Sequence, residues 1–449
     1  MLLCVWQLHI AKEKKYSGVI KMMCQKMCKI LYFACLACCA LLQFSMFCAL
    51  WSVVIIIFSI FSTFSTISTN CLVRLNTTII DRSTMQLIQN LTHIILNSNK
   101  TYKVIEVIPN ATDTKNDANS LNGLQLYEEN CTLGIAVSKY QYLSIFKASH
   151  SYFYNHRNEL LSIDKLSRDN LWEAYYMTLG YLITTNEHHT ILKLHERIVD
   201  ILQNHEQDLE IISTFLTSRL SRINKSSSLW AMLRRWVVKS LSITYRVRQN
   251  QTPIPMVDRK YILRALKSCE LHFANYYANN FLRWCILIGS IDGTFSNYWS
   301  EDLVQVCRSH HSDSSLWSTL NFLLKHNKTQ TLTELLKPVM KELARESVCA
   351  HVTAAAVAAA AAGLYIGFGQ STKVQSTPNV ISELSWLIQV DCKNLTPYIQ
   401  LILALDSLDD LYKVKELDWN SINASLEIKS KIVETVDKRI KEFSCTDRD

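Results

Sequence analysis

A run of 44 residues without a charged side chain, from Ile30 to Val73, most constrains what this chain can form. The run contains neither Gly nor Pro, and about 20 apolar residues of helix are enough to cross the core of a bilayer. The sequence therefore predicts one membrane-spanning helix centred on residues 43–65, because a second span would need a turn that the run does not supply. The alternative is a long buried helix in a globular protein.

The charges that flank the run predict the direction of the chain. Residues 1–29 contain six lysines against one acidic residue, Glu13, and a positively charged end stays in the cytosol. Residues 70–449 are then lumenal or extracellular, at a secretory-pathway membrane, the plasma membrane or a viral envelope. A cleaved signal peptide that begins near Met22 is the alternative, although its apolar stretch would be unusually long.

Ten Asn-x-Ser/Thr sequons all lie beyond the apolar run, whereas about four would be expected by chance from the composition of that region. This excess is typical of a surface that carries N-linked glycans in the secretory lumen. The predicted acceptors are Asn76, Asn90, Asn99, Asn110, Asn130, Asn224, Asn250, Asn327, Asn394 and Asn423.

Eight of the 15 cysteines follow residue 70. An even number in an oxidising compartment predicts up to four disulfides, and the alternative is a mixture of free core cysteines with one or two bridges. The candidates are Cys71, Cys131, Cys269, Cys285, Cys307, Cys349, Cys392 and Cys445.

The composition and the apolar spacing predict the fold class. Apolar residues make up 49% of the 449 residues and Gly and Pro are scarce, which favours a helix-rich chain with a large core. Within residues 70–150, helical spacing at Met85–Leu96 is followed by strand-like segments at Tyr102–Ile108, Leu133–Val137 and Tyr140–Phe146. Beyond residue 150 the spacing is helical throughout, and no internal repeat is evident.

We therefore expect a mainly α ectodomain with a small mixed α/β N-terminal cap, behind a single N-terminal transmembrane helix. The predicted domains are a cytosolic basic tail at 1–29, a signal-anchor segment at 30–69, a glycosylated mixed cap at 70–150 and a helical ectodomain at 151–449, with a break near 250–256.

Residues 219–283 hold 13 basic and only two acidic residues, which gives this region a local charge of +11. Such a cluster attracts polyanions through its summed field, and the alternative is a set of helices with ordinary basic solvent faces. The polyanion-binding candidates are Arg219, Arg222, Arg234, Arg235, Lys239, Arg246, Arg248, Arg259 and Lys260.

An Ala-rich segment, Val348–Phe368, is uncharged over 21 residues. Three interpretations remain open for it. The segment can be a tightly packed buried helix, a second membrane span, or a membrane-active segment of the kind that viral envelope fusion proteins contain. Ala is nearly neutral for membrane insertion, which weakens the second interpretation.

Catalytic signals are poor, since the sequence contains no G-x-S-x-G, no H-E-x-x-H and no P-loop. We therefore predict no catalytic residue, no cofactor and no metal site. The predicted function is that of a non-enzymatic type II membrane glycoprotein that binds a protein or glycosaminoglycan partner, and no nucleic acid, at a cell or viral envelope surface. The alternatives are a lumenal Golgi or ER enzyme of the transferase type and a membrane-fusion or remodelling factor that uses residues 348–369.

Overall fold

The computed structural model of the protein describes residues 83–109, 120–121, 124–247, 257–291, 300–326 and 379–446. This part of the chain is mostly helical and contains one small sheet.

The sheet has four strands in the order β1-β4-β3-β2, namely β1 (Tyr102–Ile108), β2 (Ser120–Leu121), β3 (Leu124–Glu129) and β4 (Thr132–Ser138). Strands β3 and β4 form an antiparallel hairpin whose turn contains Asn130 at a positive φ of 49°, a conformation that Asn tolerates. Strand β1 pairs with β4 in parallel. Its other edge is covered, because Ile105 accepts hydrogen bonds from the backbone N–H of Arg219 and from the hydroxyl of Ser218.

Two helices flank the sheet in sequence, α1 at 83–97 and α2 (Lys139–Asn155). A capping box starts α2, since the Ser138 hydroxyl accepts from the N–H of Gln141 and the Gln141 side chain accepts from the N–H of Ser138. The prediction of a strand at Tyr140–Phe146 is therefore wrong, and the first part of α2 occupies these residues.

The remaining helices follow in chain order, with a 3₁₀ turn at Ile163–Lys165. They are α3 (Arg157–Leu160), α4 (Arg168–Thr184), α5 (His189–Leu202), α6 (His205–Phe215), α7 (Ser221–Asn224), α8 (Ser227–Val247), α9 (Arg259–Leu271), α10 (Tyr276–Ile291), α11 (Ser300–Ser309), α12 (Ser314–His326), α13 (Val380–Gln389), α14 (Leu395–Leu403), α15 (Leu408–Lys415) and α16 (Leu426–Thr446).

From α6 onward the described helices form an array of hairpins in two layers. The pairs are α6 with α8, α9 with α10, α11 with α12, α13 with α14, and α15 with α16. The second helices of successive pairs also pack on one another, from α8 through α10, α12 and α14 to α16. Contacts between neighbouring hairpins are the organising feature of helical-repeat proteins.

Sequence analysis missed this repetition, although one signal for it exists. The tetrapeptide Ser-Ser-Leu-Trp begins both α8, at residues 227–230, and α12, at residues 314–317. Trp230 and Trp317 are both buried, and burying a large apolar side chain contributes about 1.5–3 kcal/mol.

Polar residues at the starts of the second helices link one hairpin to the next. Asn275 and Asp313 precede α10 and α12, and both are fully buried. Asn275 Nδ2 donates to Asn224 Oδ1, and the Ala274 N–H donates to Asp313 Oδ2 at 2.8 Å. Buried polar groups must find such partners, so these bonds fix the spacing of the three hairpins.

The prediction of an N-terminal transmembrane helix is corrected. Within the described ranges, no helix combines the length and the apolarity that crossing a membrane requires. The longest helices bury only one face, as in α8, which carries Arg234, Arg235 and Lys239 along its length. The segment 30–69, where the span was predicted, lies outside the described residues, as do the tail 1–29 and the Ala-rich segment 348–369.

The prediction of disulfides is also wrong for the candidates that the structure describes. Cys131, Cys269, Cys285, Cys307, Cys392 and Cys445 are all free thiols. Four of them are buried as small apolar core residues, whereas Cys71 and Cys349 lie outside the described residues.

Candidate functional site

The most conspicuous exposed feature of the described chain is one side of α2. Tyr140 is 70% exposed, Leu143 44%, Phe146 39% and Tyr154 86%. Helical periodicity places these residues on one side, together with His150; we call this set the aromatic face of α2.

The opposite side of α2 anchors the helix. Ile145, Ala148 and Tyr152 are buried, and α2 packs closely on α4 at Gly180. A Cβ atom at Gly180 would lie 2.5 Å from Ile88 Cδ1 and 2.6 Å from Ser149 Oγ. A larger residue at position 180 would force these side chains to move, so Gly180 lets α4 pack closely against α1 and α2, the helix that carries the aromatic face.

A stack of rings joins the aromatic face to α4. The His150 ring lies 4.2 Å from the Phe146 ring and 4.1 Å from the Tyr181 ring, and its Nε2 is 3.2 Å from Thr185 Oγ1. Burial and the nearby His188 lower the pKa of His150. The ring is therefore neutral at pH 7, and the formal charges on α2 at that pH are those of Lys139 and Lys147.

Several of the predicted polyanion-binding cations form ion pairs with acids from other elements. On α8, Arg235 pairs with Glu196 and Lys239 pairs with Asp200, both on α5. Because these acids come from outside the basic stretch, sequence counting within residues 219–283 could not include them.

Two further cations are paired in the same way. Arg219 lies 3.1 Å from Glu106, and Arg259 lies 2.7 Å from Asp302. The remaining candidates differ from one another, since Arg234 lies over the Trp284 ring at 5.2 Å and Arg222 is exposed.

Lys260, the last candidate whose side chain the structure describes, lines a cleft between α9, α6 and the α1–β1 segment. The side chain of Arg246 and all of Arg248 lie outside the described residues. Polyanion binding by the basic cluster stays a prediction.

The sequons differ in accessibility. Asn99, Asn130 and Asn423 are exposed, Asn90 and Asn394 are half-buried, and Asn224 is fully buried. Asn224 cannot carry a glycan in this fold, because its Nδ2 donates to Leu216 O at 2.9 Å and its Oδ1 accepts from Asn275 Nδ2. Asn76, Asn110, Asn250 and Asn327 lie outside the described residues, and glycosylation stays a prediction.

Asp208 lies at the centre of a buried hydrogen-bond network that sequence analysis did not find. Asp208 Oδ1 lies 3.0 Å from His195 Nε2 and accepts from the Tyr175 hydroxyl at 3.0 Å, while Oδ2 accepts from Trp236 Nε1 at 2.7 Å. The Thr178 hydroxyl lies 2.7 Å from His195 Nδ1. The order Thr–His–Asp matches a catalytic relay, but all three side chains are inaccessible, so the network serves packing.

Among the described residues, no group of three or more His, Cys, Asp or Glu is arranged to hold a metal ion. His188, which the sequence places close to His195, instead caps α5, since its Nδ1 accepts from the Ile191 N–H at 3.4 Å.

Comparison with known proteins gives two adjacent matches. A family model described as the ECM9 N-terminal domain matches residues 81–217, and one described as the ECM9 middle domain matches residues 229–351. Together they span more than half of the chain. Protein ECM9 of Saccharomyces cerevisiae is 33% identical over 167 residues, which is 34% of this chain and 39% of the yeast protein.

These findings correct the predicted function. A type II membrane glycoprotein with a single membrane span is not supported, because the chain matches ECM9 domains and no helix in its described parts could cross a membrane. The alternative of a lumenal transferase was derived from the same anchored topology and is withdrawn with it. The alternative of a fusion factor was derived from the Ala-rich segment 348–369, which lies outside the described residues.

Proposed function

We propose that this chain, a homologue in the ECM9 family, is a non-catalytic helical scaffold that docks a protein partner on the aromatic face of α2. The observation that carries the proposal is the exposure of four large apolar side chains along one side of a single helix. Contiguous exposed apolar surface of this kind marks protein interaction sites on folded proteins.

The charge of α2 favours one kind of partner. The helix contains Lys139 and Lys147, both exposed, and no acidic residue. A partner segment with apolar anchors and flanking carboxylates complements this face, as an amphipathic helix does in a groove or on a helix face.

Self-association through the same face is disfavoured. Lys147 lies at the middle of α2, so a two-fold contact between two copies of the helix would bring the two Lys147 ammonium groups together. Like charges opposed in an interface are repulsive. The occupant that fits is therefore a different, acidic chain.

The test compares two triple variants of the full chain. Tyr140→Ser/Leu143→Ser/Tyr154→Ser removes the aromatic face. Tyr412→Ser/Leu426→Ser/Val433→Ser removes three apolar side chains of comparable exposure from the last hairpin. Circular dichroism should show both variants folded, because exposed positions contribute little to stability.

The partner is first identified by a photocrosslinking residue placed at position 154 and is then purified. We expect its affinity to fall at least tenfold in the α2 triple variant, since central aromatic residues dominate such interfaces, and to be unchanged in the control. Lys147→Glu should weaken binding to an acidic partner. Equal binding by the two triple variants would refute the proposal. If the unmodified chain is a dimer that the α2 triple substitution dissociates and the control substitution does not, the occupant of the face is a second copy of the chain.

A further inference from the structure

A cleft of about 470 Å³ lies where three elements of the described chain meet. The end of α1, residues 98–101 and the start of β1 form one wall, α6 forms the second and α9 forms the third. Its lining includes four cations, Lys100, Lys103, Lys260 and Arg264, and two carboxylates, Glu206 and Glu210.

Glu210 is the counter-ion of the two most deeply buried cations. Its Oε1 lies 2.5 Å from Lys103 Nζ and 2.5 Å from Arg264 Nη2, and the side chains of Lys103 and Arg264 are only 3% and 4% exposed. Burial would raise the pKa of Glu210, but the hydrogen bonds and charges of Arg264 and Lys103 lower it to about 2.

One carboxylate does not balance these two buried cations. Lys103 Nζ also donates to the Ile95 carbonyl at 2.6 Å, in the last turn of α1, and Arg264 Nη1 donates to Ser213 Oγ at 2.6 Å. These bonds give the N–H groups of the two cations acceptors, but they add no negative charge. Burial lowers the pKa of Lys103, and the charges of Arg264 and Lys260 lower it as well, whereas the hydrogen bond and the charge of Glu210 raise it.

Lys260 adds a third positive charge at the mouth of the cleft. Its Nζ lies 3.5 Å from Glu210 Oε2 and 3.7 Å from Asp258 Oδ2, both longer than a direct hydrogen bond. The side chain is 42% exposed. Lys100, by contrast, is held by Glu128 at 2.7 Å, and Glu206 is exposed.

From this arrangement we infer that the cleft is a binding site for a phosphate group, with Lys260 as the direct contact. Lys103, Lys260 and Arg264 together exceed Glu210 and Asp258 by one charge, which a phosphate monoanion would balance. Glu206 also lines the cleft, but it is exposed and its charge is screened by solvent. Ser98, Asn99 and Thr101 line the same wall and can donate hydrogen bonds to its oxygens. The buried cations strengthen the attraction because their field is poorly screened.

The probe is inorganic phosphate, titrated into the full chain at constant ionic strength and followed by calorimetry and by ³¹P NMR. Lys260→Gln should weaken phosphate binding at least tenfold, whereas Lys260→Arg should keep most of it. The matched control is Lys267→Gln, which removes the same charge from the same helix at a residue outside the cleft. A loss of affinity in Lys260→Gln but not in Lys267→Gln is the expected result.

Other arms of the experiment identify the ligand. Acetate should bind at least tenfold more weakly than phosphate, and equal binding would contradict the phosphate assignment in favour of a carboxylate. A phosphoserine peptide and glycerol phosphate distinguish a protein source of the phosphate from a lipid headgroup. The compound that binds more tightly makes contacts beyond the phosphate and therefore indicates the source. No saturable phosphate binding, or equal loss in Lys260→Gln and Lys267→Gln, would overturn the inference.

Discussion

Glu210 accepts hydrogen bonds from cations that lie 107 and 54 residues away in the sequence, Lys103 and Arg264. Lys103 and Glu210 belong to the region that matches the ECM9 N-terminal domain, and Arg264 belongs to the region that matches the middle domain. The ion cluster therefore joins two regions of the chain through partly and fully buried charges. Removing one member of such a cluster is costly, because it leaves the others without compensation.

The pKa of Glu210 gives this cluster a measurable pH dependence. Its folded pKa is about 2 against an ordinary value of 4.5, so the carboxylate stabilises the fold above pH 4.5 and this contribution is lost as the pH falls towards 2. Glu210→Gln should lower the free energy of unfolding by about 1–3 kcal/mol at pH 7. Urea unfolding at pH 7, 4.5 and 2.5 measures the difference from the unmodified chain, which should shrink with acidification.

An exposed ion pair supplies the control for this measurement. Glu427 pairs with Lys431 on α16 and is 75% exposed, so Glu427→Gln should change stability little at any of the three pH values. A difference for Glu210→Gln that stays constant between pH 7 and pH 2.5 would contradict the assignment.

Elements in this fold are connected by their caps as well as by their apolar faces. Asp313 Oδ1 accepts from the N–H groups of Ser315 at 2.9 Å and Leu316 at 3.3 Å, and its Oδ2 accepts from the Ala274 N–H at 2.8 Å. One side chain thus caps α12 and holds the loop between α9 and α10. Asp258 caps α9 more simply, through the Lys260 N–H at 2.9 Å, and is exposed.

The two aspartates should therefore differ in their effect on stability. Asp258→Ala should lower the free energy of unfolding by about 1 kcal/mol, the usual cost of losing an N-cap. Asp313→Ala should lower it by about 2–4 kcal/mol, because the change also removes the acceptor of the half-buried Ala274 N–H and breaks the link between two hairpins. Thermal unfolding of both variants measures the difference, and equal losses would show that the inter-hairpin bond contributes nothing.

At the scale of the whole molecule, the described thiols report whether the hairpin array unfolds. Cys269, Cys285 and Cys307 lie on α9, α10 and α11, which belong to two adjacent helix pairs, and all three are buried. Burial raises the pKa of all three thiols. Buried protonated thiols react slowly, since the thiolate is the nucleophile.

Alkylation by iodoacetamide without reductant, mapped by mass spectrometry, tests this expectation. In the folded chain Cys131 and Cys445 should be labelled, whereas Cys269, Cys285, Cys307 and Cys392 should be protected. In urea all six should be labelled at once, because none is in a disulfide. A peptide that becomes labelled in urea only after reduction would show that its cysteine is disulfide-bonded.

Much of the local structure could be predicted from residue spacing. Leu171, Tyr175, Leu179 and Leu182 have helical spacing in the sequence and are all buried in α4, whose N-cap is Ser167. The predicted strand at Tyr102–Ile108 is β1, and the helical spacing predicted beyond residue 150 continues to the last described helix, α16. The wrong prediction of a strand at Tyr140–Phe146 could have been avoided from the sequence, because Ser138 and Gln141 have the spacing of a capping box, which marks the start of a helix.

The sequence by itself determined the spacing of apolar residues in helices and strands, the helix caps and the charge content of this protein, because these depend on residues that are close together in the chain. The tertiary structure alone decided that Arg235 and Lys239 face acids of α5, that Asn224 is buried, and that Lys103 and Arg264 share Glu210. Which helix faces meet depends on packing between residues tens of positions apart, and that packing determines whether a charge is paired, buried or available to bind.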